Sequence, residues 1–257
     1  HIAVGDRVAL APTIPCNNCA MCAKGAKALC SRAKIMGYHY WGGFAQYVSV
    51  PAIGVERNQV KKVPDHVSMD EAALVEPLAC VINGQEKVEP RPGDTVVILG
   101  VGPIGCLHIL LARARGATKI IAANRSSRTR LSLASRFPAD IFVNQAEQDL
   151  KKVVMDATGG RGADVVIVCT PAKEALALSL EMIAPRGRVL FFGGLPKNDP
   201  FFPFDANVVH YKECTVHGSF SASPEHCDTA LELISSGRID VKDLITHTVD
   251  LDHVADG

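Results

Sequence analysis

Two groups of residues in this chain have the types and spacing for chemistry. The first is four cysteines, Cys16, Cys19, Cys22 and Cys30, in the stretch CNNCAMCAKGAKALC. They gather four sulfurs in one short loop that offers little to build a core with. Four thiolates complete a tetrahedral shell around Zn2+ and leave no position open for substrate or water, so an ion held there would be structural. Lys24 and Lys27 would offset part of the thiolate charge. Four free thiols or two disulfides are the alternatives, but clustered unpaired thiols are an oxidation hazard, which favours the metal.

The second group is Gly100-Val101-Gly102-Pro103-Ile104-Gly105, between the apolar run VVIL and the helical pattern PIGCLHILLARARG. A GxGxxG sequence is weak by itself and informative between a strand and a helix. Gly100 would allow the tight turn, Gly102 would let a pyrophosphate approach the backbone, and Gly105 would let helix and strand pack closely. The helix N-terminus offers unpaired N–H groups and the positive end of a dipole to phosphates. A glycine turn with no ligand is the alternative. In dinucleotide-binding folds the next strand ends in an Asp or Glu that takes the ribose 2′-OH of NAD. Here TKIIAA ends at Asn124, followed by Arg125, Ser126, Ser127 and Arg128. A carboxylate is missing and two guanidinium groups stand nearby, which tilts the reading from NAD toward NADP. The arginines could instead be the solvated first turn of a helix, although basic residues there oppose the helix dipole.

The elements that must position these groups follow a simple alternation. PGDTVVILG, TKIIAA, ADIFV, ADVVIVC, GRVLFFGG and TVHGSF read as six strands, separated mostly by helical stretches. Strands apolar on both faces and alternating with helices predict a doubly wound parallel sheet, an α/β fold. Residues 1–60 read instead as short strands and turns, with GDRVAL and GGFAQYVSV (42–50) as strands. Ser68 and Glu71 form a capping-box pattern at the head of a helix, and Pro77 suits the first turn of a second helix, roughly 77–88. A helix at PEHCDTALELISSG and an extended tail close the chain.

Composition narrows the function classes. The chain has 257 residues, 47% apolar and 21% charged, a globular balance that excludes disorder and coiled coil. Lys+Arg and Asp+Glu are 27 each, so no basic surplus points to nucleic acid. No apolar run is long enough to suggest a membrane span, and no signal peptide opens the chain. Nine cysteines, an odd total, argue against a disulfide framework and for a reducing compartment, the cytoplasm. Cys80, Cys106, Cys169, Cys214 and Cys227 read as reduced, buried thiols.

With these motifs in this order, nearly the whole chain resembles the zinc-containing medium-chain dehydrogenases, in their polyol (sorbitol-type) and threonine dehydrogenase branch. The resemblance implies a GroES-like catalytic domain, incomplete here, beside a Rossmann-type cofactor domain. It divides the chain into 1–76 with the zinc lobe, 77–220 for the dinucleotide, and 221–257 returning to the catalytic domain. It implies hydride transfer between a secondary alcohol, a polyol or sugar alcohol, and NADP or NAD. It implies a catalytic Zn2+ besides the structural one, and a dimer or tetramer. Glu76 of the EPL tripeptide matches the glutamate that relatives keep at the catalytic zinc; the alternative is an acid at a helix N-terminus. Backbone groups at Cys169-Thr170, Gly193-Gly194-Leu195 and Gly218-Ser219 would hold the nicotinamide, unless they are ordinary turn chemistry. The family's other zinc ligands, a Cys and a His-Glu pair, precede GDRV, so the chain is expected to be a piece of a longer protein, inactive by itself. Its histidines form no HExxH or comparable pair. Tyr38, His39 and Trp41 lie where relatives place substrate-pocket residues; strand-edge packing is the plainer reading. A zinc-free reductase of the same superfamily, a non-catalytic dinucleotide binder and a zinc-finger nucleic-acid binder are the competing functions.

Overall fold

The computed structural model describes residues 2–256. The chain forms two units: one runs to Asn83 and resumes at Phe220, and the other is Gly84–Ser219. The first division falls inside a helix, Val75–Val88, rather than at its first turn near Pro77.

In the first unit, β1 (Val8–Leu10) is followed by β2 (Thr13–Ile14), helix α1 (Ala20–Ala23), β3 (Lys34–Ile35), helix α2 (Ala52–Glu56) and β4 (Val60–Lys62). β1 pairs antiparallel with β4, and β2 with β3. The hairpin-like pairing of β2 and β3 closes the base of the cysteine loop. The capping box forms as expected: the Glu71 N–H donates to Ser68 Oγ at 3.1 Å, and the Ser68 N–H to Glu71 Oε2 at 2.9 Å. It starts α3 (Met69–Ala72), and α4 (Val75–Val88) follows with Pro77 in its first turn, where no N–H is needed. The later helix Pro224–Ser235 packs here too; its Asp228 takes the buried amine of Lys61 at 2.6 Å.

One expected strand is missing. Residues 42–50 make bends, not a strand, and no described strand pairs with them. A strand needs a neighbour for its N–H and C=O groups. Tyr38, Trp41, Phe44 and Tyr47 in and before this segment are all more than four-fifths exposed, since no packed face receives them. The tail also differs: it makes short 3-10 turns at Lys242–Leu244 and Leu251–Asp256.

The second unit is the alternating part. It contains β5 (Thr95–Leu99), α5 (Pro103–Ala114), β6 (Lys119–Asn124), α6 (Arg128–Ala134), β7 (Ile141–Asn144) and α7 (Leu150–Ala157). It continues with β8 (Ala163–Val168), α8 (Lys173–Glu181), β9 (Ile183–Phe191), α9 (Ala206–Lys212) and β10 (Thr215–Gly218). The sheet order is β10-β9-β8-β5-β6-β7 and every pairing is parallel. β5 is buried along its whole length, which explains its unbroken apolar sequence. The chain moves outward through β6 and β7, then returns to the other side of β5 with β8. The direction of winding therefore reverses between β5 and β8, and a crevice opens beyond their C-terminal ends. β9 begins at Ile183, earlier than its glycine entry suggested. A bulge between Ala163 and Val165, with Arg186 at φ 58°, absorbs the irregular start.

Candidate functional site

At the crevice, each glycine of the loop does a different job. Gly100 leaves β5 at φ 98°, a conformation that disfavours a side chain. Its N–H donates to the Ala123 carbonyl at 2.8 Å, tying the turn to the tip of β6. Gly102 is the N-cap of α5, and a Cβ there would meet nothing within 4 Å, so the backbone N–H groups of Gly102, Pro103's successor Ile104 and Gly105 lie at an open helix end. Gly105 packs on Gly100 itself. Pro103 sits at the first helical position, and Val101 is buried behind the loop.

A cavity of about 300 Å³ lies beside this turn, lined by Gly100, Asn124, Arg125, Gln145, Thr170 and Glu174 among others. It gathers four of the expected residues from three strand ends. Asn124 Nδ2 donates to the Ser127 carbonyl at 3.3 Å, closing the turn that presents Arg125. Arg128 behaves differently from Arg125: its Nε and Nη2 both bond to Glu147 Oε1, at 2.9 and 2.7 Å. Gln145 and Glu174 were not singled out from the sequence. Gln145 arrives because β6 and β7 are in register at Asn124 and Asn144, which is a pairing and not a motif.

The other strand ends supply the remaining expected residues. The Cys169 N–H donates to the Leu99 carbonyl at 2.8 Å, and burial pushes its thiol up. Gly193 lies against the Thr170 backbone, where a Cβ would come within 3.0 Å. Gly194 faces open space, while Leu195 packs against the apolar core rather than the cavity. Gly218 ends β10, and the next residue, Ser219, has a buried hydroxyl with no hydrogen-bond partner among the described residues. A buried polar atom of that kind suits a ligand that brings its own donor or acceptor. The open helix end, the Gly100–Gly105 approach and this hydroxyl together fit a dinucleotide.

The cysteine loop fits a metal equally well. The four ligand atoms lie within 4.8 Å of one another. The Sγ pairs Cys19–Cys22, Cys19–Cys30 and Cys16–Cys22 are 3.5, 3.8 and 3.9 Å apart. Four sulfurs each about 2.3 Å from a central zinc would stand about 3.8 Å apart. Disulfides are far shorter, and all nine cysteines are free. The Asn18 backbone N–H, and the neighbouring thiols after it, hold Cys16 down to about 6, while burial pushes Cys22 up to about 11. Lys27 does not serve the sulfurs as expected, because its amine pairs with Glu225.

Glu76 stands elsewhere in the first unit. It lines a cavity of about 760 Å³ with Met36, Tyr38, Trp41, Phe44 and Tyr47. Its Oε1 accepts from Cys80 Sγ at 3.4 Å. Burial, then the Glu76 charge, pushes the Cys80 thiol up, and the same two causes raise Cys227 to about 12, so both stay protonated at neutral pH. His39 is turned away from chemistry: its Nδ1 accepts the Ile35 N–H at 3.2 Å. Among the described residues no other group of three His, Cys, Asp or Glu side chains comes together as the four cysteines do. Glu76 is thus one donor where a catalytic zinc takes at least three, and the described residues do not make that second site.

Comparison with known proteins gives concordant matches. A family model described as zinc-binding dehydrogenase matches residues 103–236, and one described as alcohol dehydrogenase GroES-like domain matches residues 1–65. A sorbitol dehydrogenase of Halalkalibacterium halodurans is 33% identical over 95% of this chain and 69% of its own length. An L-threonine 3-dehydrogenase of Pyrococcus furiosus is 35% identical over 96% of this chain and 68% of its own. Among solved structures, a zinc-binding dehydrogenase from Sinorhizobium meliloti 1021 bound to NADP superposes with a TM-score of 0.91 at 32% identity. That match covers 99% of this chain and 73% of the other. No helix among the described residues is long and apolar enough to cross a membrane.

Proposed function

This chain belongs to the zinc-binding alcohol dehydrogenase family, and from that premise we propose that it is an NAD(P)-dependent polyol dehydrogenase. The reaction is the reversible oxidation of a secondary alcohol to a ketone, on a polyol, a sugar alcohol (phosphorylated or not) or an amino-alcohol. The observation that carries this reading is the Gly100–Gly105 approach at an open helix end beside a cavity lined by Asn124 and Arg125. The cofactor, when bound, supplies the hydride chemistry at its nicotinamide ring. The protein's part is to hold and orient. The N–H groups at the head of α5 bind the pyrophosphate, Asn124 and Arg125 take the adenosine ribose, and Arg125 favours a 2′-phosphate. Gly193, Gly194 and Ser219, with the backbone at Cys169, Leu195 and Gly218, fix the nicotinamide end, while Thr170, expected there, lines the adenosine cavity. The cavity of Glu76, Tyr38 and Trp41 receives the alcohol. A polyol's C–H faces lie well against aromatic rings, and the Glu76 carboxylate accepts from a hydroxyl.

The cysteine lobe carries a structural zinc and takes no part in the chemistry. Nine free cysteines suit the reducing cytoplasm. The outer edge of β10, unpaired among the described residues, suits pairing with a second copy in a dimer or tetramer. A formal net charge of zero supports neither nucleic acid nor a charged membrane as partner.

The test is a titration of the purified protein with NADPH and NADH, followed by nucleotide fluorescence, together with metal analysis and a screen of polyols. Binding of at least one dinucleotide and zinc in the lobe are expected of this chain, and turnover of a polyol is expected of the protein with its catalytic zinc ligands complete. A protein that holds zinc yet binds neither dinucleotide would falsify the reading.

A further inference from the structure

Arg128 opens α6, the helix that follows β6, and Glu147 lies in the turn that follows β7. The register of these strands brings them together: the Gln145 N–H donates to the Asn124 carbonyl at 3.0 Å, just past the Asn124–Asn144 pair. One carboxylate oxygen, Glu147 Oε1, then accepts three donors. They are Arg128 Nε at 2.9 Å, Arg128 Nη2 at 2.7 Å and Asn144 Nδ2 at 2.9 Å. Arg125, three residues earlier, lines the cavity and pairs with no carboxylate among the described residues. Two guanidinium groups of similar sequence position are therefore unequal, one free and one claimed.

We propose that Glu147 sets the ratio of NADP to NAD affinity by holding Arg128 in this pair. The proposal rests on the reading of the Gly100 cavity as the adenosine end of a dinucleotide site. The two cofactors differ only in the 2′-phosphate, a group that guanidinium binds through paired, charge-assisted hydrogen bonds. With Glu147 in place, Arg125 meets that phosphate as a free charge, and Arg128 reaches it only by giving up its carboxylate. The exchange is inexpensive, because the side chains are 84% and 48% exposed. Exposed ion pairs of this kind are worth up to about fivefold in an equilibrium. Glu147 is a positioning residue: it acts on the cofactor through Arg128. Its effect is a moderate preference in place of a strict one.

Calorimetric titration with NADP+ and NAD+ tests this on five proteins: wild type, Glu147→Gln, Glu147→Ala, Arg128→Gln and the double variant Arg128→Gln/Glu147→Gln. Glu147→Gln is expected to raise the NADP+-to-NAD+ affinity ratio about two- to fivefold, and Arg128→Gln to lower it. In the Arg128→Gln background, Glu147→Gln should change the ratio by less than about twofold, since the residue it acts through is gone. Glu147→Ala removes the same oxygen and must shift the ratio in the same direction, which guards against a fault peculiar to the glutamine. An unchanged ratio in both Glu147 variants overturns the proposal. So does a gain that persists undiminished without Arg128. If wild type binds neither dinucleotide, the cavity reading falls first and this inference with it; if wild type binds both and the ratio does not move, only this inference falls.

Discussion

A Cβ placed on Gly105 would lie 1.9 Å from the carbonyl oxygen of Gly100. No side chain fits at that distance, so the first turn of α5 and the end of β5 can touch only through glycine. Gly105→Ala must push the helix off the strand. Overpacking of this sort costs about 1–3 kcal/mol, and the displaced N–H groups lose their aim at the pyrophosphate. Urea unfolding and NADPH titration should show both losses. Gly102→Ala is the control with the opposite balance, since its Cβ meets nothing within 4 Å. It should leave stability within about 0.5 kcal/mol while weakening the dinucleotide at least tenfold, by crowding the approach of the phosphates. Equal effects of the two variants on stability would contradict this division of labour.

The cysteine lobe should hold one zinc per chain, and Cys22→Ser should release it. Cys22 is the most buried member of the set, so its loss leaves a three-thiolate shell open to water. Atomic absorption of the two proteins measures the change. Because metal binding requires every sulfur as thiolate, protons compete with the ion, and retention should weaken steadily as the pH is lowered. Undiminished zinc in Cys22→Ser would mean that the ion sits elsewhere.

Asn124→Asp should convert the cofactor site toward NAD. A carboxylate at the tip of β6 accepts from a ribose 2′-hydroxyl and repels a 2′-phosphate. The KM for NADP should rise about tenfold or more, with that for NAD falling or unchanged. Steady-state kinetics on the protein with its catalytic zinc ligands complete, with a polyol and each cofactor, decide the matter; a parallel change in both constants would show that Asn124 lies outside the ribose site.

His108, inside α5, is fully buried, with its ring 4.7 Å from that of Phe192 in an edge-on contact. Gln85 Nε2 donates to its carbonyl at 2.8 Å and lies 3.2 Å from Nδ1. Burial alone lowers its pKa to about 3. An unfolded histidine titrates near 6.5, so below that value the unfolded chain binds the extra proton. The contribution of His108 to stability is complete above about pH 6.5 and shrinks by about 1.4 kcal/mol per pH unit below it, until the folded pKa is reached. His108→Phe keeps the ring and removes the titration. Denaturant unfolding at about pH 7.5 and 5.5 should show a flatter pH dependence in the variant; identical slopes would show that His108 is not the group responsible.

The glycine loop, the six strands and the four cysteines were legible because each depends on local chemistry. Gly100-x-Gly102-x-x-Gly105 meets three separate steric demands within one turn, and the cysteines meet the valence of one ion. The segment 42–50 was misread because alternation of side chains speaks of a strand only when a partner strand exists, and none of the described strands pairs with it. Arg125 and Arg128 looked equivalent in the chain. What separates them is Glu147, which lies 19 residues beyond Arg128.

Residue order alone was enough to specify a loop that gathers four thiols and a glycine turn at an open helix end, since bond lengths and left-handed backbone act over a few residues. Folding in three dimensions settled which charged groups remain available: it seated Glu147 on Arg128, left Arg125 facing a cavity and turned Lys27 to Glu225. Charge pairing is a matter of distance through space, and strands laid side by side set distances that no count along the chain contains.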